Sequence, residues 1–191
     1  DTGQGRLFLF DRRSPSEDGQ VVADDQPGLE SLHAVAGQNF DVTEHELAFV
    51  AQASGADVIY LQSFEETVEA EPCKDDKKRA CSWDVDIDLG GRRAFEVGDR
   101  GIDAVEAVAL SADGKQIAFV GLSNIGQRDV YLLTPRADDD YELRKLTDDV
   151  YSERELDFGP QGVVFSSDAT GHGKYNLFRV AAGGGSIERL T

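Results

Sequence analysis

The chain has 191 residues and a formal net charge of −18, from 37 acidic against 19 basic side chains, and 40% of it is apolar. That is core enough for one large or two small domains. The acidic excess argues against nucleic acid as a partner, because proteins that hold phosphates gather Lys and Arg on one face. No run approaches the ~20 apolar residues of a membrane span, and no basic, apolar and small-residue leader is seen. Starting at Asp1 and lacking methionine, the chain reads as a piece of a longer protein.

In chain order, Arg6-Leu7-Phe8-Leu9-Phe10-Asp11 predicts a short strand. The charged, turn-rich stretch 12–30 contains a second strand at Val21-Val22-Ala23, and Leu32 to Val35 suits an outer strand closing a unit entered part-way. FDVTEHELAFVAQASGADVIYLQ, from Phe40, reads as strand, turn, strand, glycine loop, strand. An insertion over about 64–100 follows. In it Trp83, Val85, Ile87 and Leu89 alternate with Asp84, Asp86 and Asp88, which predicts a hairpin with one acidic, solvated face, ended by Gly90-Gly91.

The grammar returns at Leu110–Leu133, where Asp113-Gly114 supplies the positive φ of a hairpin turn, and again from Phe158 as FGPQGVVFSSDATGHGKYNLFRV. Phe119 and Phe165 lie 46 residues apart, and the closing pairs Leu146-Thr147 and Leu190-Thr191 lie 44 apart. Four short strands per period of about 45 residues is the signature of propeller blades. The expected fold is therefore all-β, a β-propeller of about three and a half blades belonging to a six-bladed or larger ring, with a β-hairpin insertion. The expected division is a partial blade at 1–39, a blade at 40–101 carrying the insertion, and blades at 102–150 and 151–191.

Ser111-Ala112-Asp113-Gly114-Lys115-Gln116-Ile117-Ala118-Phe119 resembles the S-x-D-G-K-x-I-A-F core of the TolB-like propellers built of WD40-like PD40 repeats. Phe165-Ser166-Ser167-Asp168-Ala169-Thr170-Gly171 is similar to that family's F-x-S-D-R-x-G, with Ala169 where Arg is common, and the closing Leu-Thr agrees. The resemblance covers about 40–62 and 102–191. It implies propeller blades of the kind found in periplasmic scaffolds, in surface proteins and as the non-catalytic cap of serine peptidases.

Catalytic patterns are few. His33, His45 and His172 are not spaced as H-E-x-x-H, and Ser123 in G-L-S-N-I-G is one residue too long for a nucleophile elbow. No phosphate loop is present, and Gly171-His172-Gly173 lacks the third glycine and the helix of a dinucleotide site. The acidic clusters lack the frame of a calcium loop, and no cofactor is expected; a cation such as calcium would best be sought at Asp138-Asp139-Asp140. Cys73 and Cys81 flank a polar seven-residue loop, which favours a disulfide over free thiols and an oxidising, periplasmic or extracellular compartment.

Asp113 and Gly114, with Asp168 and Gly171, are expected to hold loops. Asp168 would do so by accepting backbone N–H groups two residues on. Tyr151–Phe158 should be the innermost strand of the last unit, lining the central channel where partners enter. Its Glu153, Arg154, Glu155 and Asp157 are the candidate binding residues, although mutual charge compensation is the favoured reading of their arrangement. The function expected is a non-catalytic module binding a protein or cell-envelope component, and the alternative is the substrate-filtering propeller of a larger secreted or periplasmic peptidase. Uncovered blade faces and strand edges predict self-association if these residues stand alone.

Overall fold

The computed structural model describes residues 7–9, 20–23, 31–32, 38–74, 80–137, 140–171 and 173–191. Its strands are β1 (Leu7–Leu9), β2 (Gln20–Ala23), β3 (Ser31–Leu32), β4 (Phe40–Val42), β5 (Glu46–Ala53), β6 (Ala56–Pro72), β7 (Ala80–Glu96), β8 (Ile102–Leu110), β9 (Ile117–Ser123), β10 (Arg128–Pro135), β11 (Tyr141–Lys145), β12 (Glu153–Gly159), β13 (Gly162–Ser167), β14 (Asn176–Val180) and β15 (Glu188–Arg189). The chain is all-β, and consecutive strands pair antiparallel into blade-like meanders. One sheet contains β3 to β7, the next runs β8-β9-β10-β11 and the last β12-β13-β14-β15, while β1 and β2 form a separate pair. These sheets stack as propeller blades do and do not close into a ring.

An aromatic cross-strand pair recurs in each large sheet. Phe49 stacks on Tyr60 at 5.2 Å, Phe119 on Tyr131 at 5.3 Å and Phe165 on Phe178 at 6.1 Å between ring centroids. The members of each pair are directly opposite in register, so one packing unit recurs from sheet to sheet, 70 residues apart across the insertion and 46 from Phe119 to Phe165. Phe119 and Tyr131 bury against Ala48, Val50, Ile59 and Leu61 of the preceding sheet. Phe165 and Phe178 bury against Ala118, Val120, Val130 and Leu132. Each large side chain removed from water in this way contributes about 1.5–3 kcal/mol.

Hydrogen bonds join the second and third sheets as well. β8 is an edge strand, and its outward N–H groups would otherwise need water. Instead Val105 N–H donates to Asp57 Oδ2 at 2.9 Å, Val108 N–H to the Gln38 carbonyl at 2.8 Å and Leu110 N–H to Asp41 Oδ2 at 2.7 Å.

The inserted segment is the hairpin expected, continuous with the blade: β6 and β7 are 17-residue strands that begin as the two outer strands of the sheet and run on beyond it as a ribbon. Three expectations change. Gly90-Gly91 does not end the strand but sits in a bulge, two residues opposite Ser63. A Cβ at Gly90 would lie 2.4 Å from the Ser63 hydroxyl, which would have to rotate away to make room. Arg92–Glu96, beyond the bulge, pairs with Val58–Gln62 and supplies the outer strand of the blade. Ser31-Leu32 likewise does not close an earlier unit, because it pairs with Ala51 and Gln52 on the inner edge of β5.

The third change concerns the face of the last sheet turned away from its neighbour. The positions occupied by Ala118, Val120, Val130 and Leu132 in the third sheet are occupied there by Val164, Ser166, Leu177 and Arg179. Ser166 donates to Glu155 at 2.6 Å, and Arg179 pairs with Glu188 at 2.6 Å. The uncovered face invoked for self-association is, at this end, half polar: Ser166 and Arg179 are held by cross-strand bonds, while Leu177 remains 45% exposed.

Candidate functional site

Two features remain once the common blade pattern is removed: the ribbon and the strand β12. In the ribbon Glu65 stands opposite Asp88, Thr67 opposite Asp86 and Glu69 opposite Asp84. Directly opposed residues share a face, so five carboxylates and one threonine form one side. The other side is built from Phe64 and Leu89, Glu66 and Ile87, Val68 and Val85, and Ala70 and Trp83. Its root packs into the blade, with Phe64, Ile87 and Leu89 joining the cluster around Phe49 and Tyr60. Towards the tip the stripe opens to solvent, and Trp83, the only tryptophan, is 42% exposed. The segments 65–71 and 82–88 contain no Lys or Arg.

At the root, Gln62 ties the bulge together. Its amide donates to the carbonyls of Ser63 and Gly90 at 2.9 Å each, and its Oε1 accepts from Arg92 at 2.8 Å. Arg92 lies over the Phe49 ring at 5.5 Å. Beside this anchor is a cleft of about 550 Å³ lined by His45, Glu46, Ser63, Phe64, Glu66 and Leu89, among others. Burial raises the Glu46 carboxyl above the usual range, against the pull of His45 and Arg93.

Strand β12 pairs with β13 through a bulge between Arg154 and Leu156, and that bulge scatters the four candidate residues. Glu153 turns inward and is 1% exposed, while Arg154, Glu155 and Asp157 are exposed. Among the described residues Arg154 makes no ion pair with these carboxylates. Its guanidinium lies over the Tyr175 ring at 4.5 Å, so mutual charge compensation is replaced by a cation–π contact. Glu155 accepts from Ser166, and Asp157 accepts from the Phe158 N–H at 2.8 Å. The four residues therefore do not converge on one face.

Around Glu153 lies a polar cluster that the repeat pattern did not announce. Its Oε1 accepts from Ser167 Oγ at 3.1 Å. Fully buried Asp129 lies nearby, with Lys145 Nζ 2.9 Å from its Oδ2 and Thr147 Oγ1 3.3 Å from its Oδ1. Burial raises the Asp129 carboxyl, with Lys145 and Thr147 pulling the other way. Burial lowers the Lys145 ammonium, yet its bonds to Asp148 and Asp129 more than offset this and hold it well above its usual value. The Asp57 and Asp129 positions of the repeat were visible in the sequence as the first residue of each D-V-hydrophobic strand.

The remaining candidates fall as follows. Asp113 Oδ1 accepts from Ser111 Oγ at 2.7 Å and from Lys115 N–H at 3.2 Å, and these bonds hold its carboxyl below the usual range. Gly114 has φ +68° and Gly171 φ +78°, the left-handed conformation their turns need. Asp168 acts differently from expectation: its Oδ1 accepts from Ser152 N–H at 2.8 Å, tying the entry of β12, and it is Ser167 Oγ that accepts from Ala169 N–H two residues on. Cys73 is buried and not a free thiol, while the side chain of Cys81 lies outside the described residues. Asp138, Asp139, His33 and His172 also lie outside them. The Asp140 carbonyl accepts from Arg93 at 3.3 Å, and no group of three potential metal ligands occurs among the described residues. His45 is exposed beside Glu44 at 3.9 Å, and no described helix is long and apolar enough to cross a membrane.

No family model matches the chain, and no curated protein matches it. Among solved structures it is similar to TolB from Acinetobacter baumannii, with 21% identity and a TM-score of 0.49 over 80% of this chain and 31% of that one. It is also similar to a protein assigned as TolB from Agrobacterium tumefaciens, with 16% identity and a TM-score of 0.29 over 81% of this chain and 61% of that one. The chain thus spans less than two thirds of the length of either, and no function is taken from likenesses at this level.

Proposed function

We propose that this chain is a non-catalytic propeller module that binds a protein or cell-envelope component, with the ribbon 64–89 as its contact arm. The observation that carries the reading is the ribbon's acidic face. Glu65 opposite Asp88 and Glu69 opposite Asp84 are like charges placed directly across a strand pair, an arrangement that costs stability by itself. A partner bearing Lys or Arg relieves that cost and gains the exposed stripe at Trp83 as an apolar anchor. The period, the TolB-like resemblance of the repeats and the stacked sheets support a scaffold on which such an arm is displayed.

The test is capture from a cell-envelope extract by the protein and by a variant carrying Asp84→Asn, Asp86→Asn and Asp88→Asn. Components retained by the first and lost by the second support the reading, and an identical set from both sinks it. Peptide hydrolysis by a polypeptide in which this chain is joined to a further domain would instead favour the propeller of a peptidase.

We further propose a Cys73–Cys81 bridge across the ribbon tip, and with it residence in the periplasm or outside the cell. Pro72 pairs with Ala80 and Glu71 with Ser82, which brings the flanking backbone together. A thiol reagent is expected to label neither cysteine of the native protein before reduction and both after it. Stoichiometric labelling without reductant removes the bridge.

A further inference from the structure

The interface between the third and fourth sheets contains a group that its counterpart between the second and third sheets lacks. In register, Glu153 pairs with Ser167 where Val105 pairs with Gly121 one repeat earlier. Val105 presents a methyl-bearing side chain, fully buried, and its N–H reaches Asp57. The equivalent of Asp57 in the next repeat is Asp129, so at this interface a buried aspartate faces a buried glutamate. Glu153 Oε2 has no hydrogen-bond partner among the described residues, although a buried ionised carboxylate needs its oxygens satisfied.

We propose that Glu153 is a proton-linked latch: protonated, it lets β12 pack against the third sheet, and its ionisation loosens that strand. Every element packed against it bears on the charge balance. The loop before β12 brings Asp149, β10 brings Asp129 and β13 brings only the Ser167 hydroxyl. Lys145 of β11 is already divided between Asp129 and Asp148, at 2.9 and 2.5 Å. From β8 and β10, Glu106 and Arg128 satisfy each other at 2.7 Å. On β12 itself Arg154 is engaged with Tyr175, and Glu155 with Ser166. None of these three neighbouring cations is therefore left to compensate a Glu153 carboxylate.

Burial first, then Asp149 and Asp129, push the Glu153 carboxyl up to about 8, against the hydrogen bonds from the Ser167 hydroxyl and from its own backbone N–H. In an unfolded chain the same carboxyl titrates at about 4.3. Below that value both states hold the proton and pH has no effect through this group. Between about 4.3 and 8 only the folded state holds it, so stability falls steadily as pH rises. Above 8 the loss is complete and constant.

The experiment compares thermal unfolding midpoints of the wild type and of E153Q, a neutral isostere, from pH 5 to 9. The advantage of E153Q is expected to be small at pH 5 and to grow by roughly 5–10 °C between there and pH 8. A difference independent of pH overturns the proposal. Should E153Q not fold, E153V, which copies the residue at position 105, is measured with the same two outcomes. Infrared spectra of the wild type give a separate reading: a protonated carboxyl band present at pH 7, lost at pH 9 and missing from the variant supports the latch, and its absence at pH 7 overturns it.

Discussion

Phe119→Ala is expected to lower the unfolding free energy by about 3–5 kcal/mol. Phe119 is fully buried at the centre of the cluster between the second and third sheets, and it stacks at 15° on Tyr131. Removing the ring deletes its apolar burial and leaves a cavity between two sheets whose strands are fixed by their ladders and cannot close over it. Part of the loss is the stacking itself, worth about 0.5–1.5 kcal/mol beyond area. Chemical denaturation of Phe119→Ala, Tyr131→Ala and the double variant separates the two contributions. Phe40, which is 50% exposed, is the control, and its replacement by Ala is expected to cost about 1 kcal/mol or less. A similar small cost for Phe119→Ala would contradict the stacked interface.

Gly162→Ala is expected to cost about 3 kcal/mol or more, a large effect for the addition of one methyl group. Gly162 follows the two-residue turn joining β12 to β13, with φ +125°, and an added Cβ would lie 2.2 Å from the Val180 carbonyl oxygen and 2.8 Å from Ala181 Cα. Both obstacles are backbone, so no rotamer relieves them. The conformation is itself unfavourable for an L residue, at about 1–3 kcal/mol, and steric repacking adds to that. Gly126→Ala is the comparison: φ is +82°, but nothing lies within 4 Å of the added carbon. It should cost only the conformational part. Equal losses for the two variants would show that the close approach of β14's end to Gly162 has no energetic weight.

These two residues also show which information was local. The repeat of Phe119 at Phe165, and the Asp113-Gly114 turn, were legible because a turn type and a cross-strand pair depend on a few adjacent side chains. Gly162 was not singled out, because its requirement comes from Val180 and Ala181, eighteen and nineteen residues on. The ribbon shows the same division. Its alternation at Trp83–Leu89 was plain, but Gly90-Gly91 was read as a stop, since local sequence does not distinguish a glycine that ends a strand from one that lets it pass a bulge. The partner of Asp168 was misassigned for the same reason: Ser152 is sixteen residues away, and a carboxylate can reach either a near or a distant N–H.

Composition and periodicity were enough for an acidic, all-β chain of stacked meanders with an aromatic pair at fixed phase in each sheet. They sufficed because a period of two decides which side chains share a face and a period near 45 decides which faces meet. The candidate site depended on the assembled sheets. In β12 the bulge at Glu155 breaks the alternation that would have put Glu153 and Glu155 on one side, and turns Glu153 towards Asp129. Whether a carboxylate is solvated or buried against another carboxylate is a property of what packs over it, and here that is a strand from the neighbouring sheet.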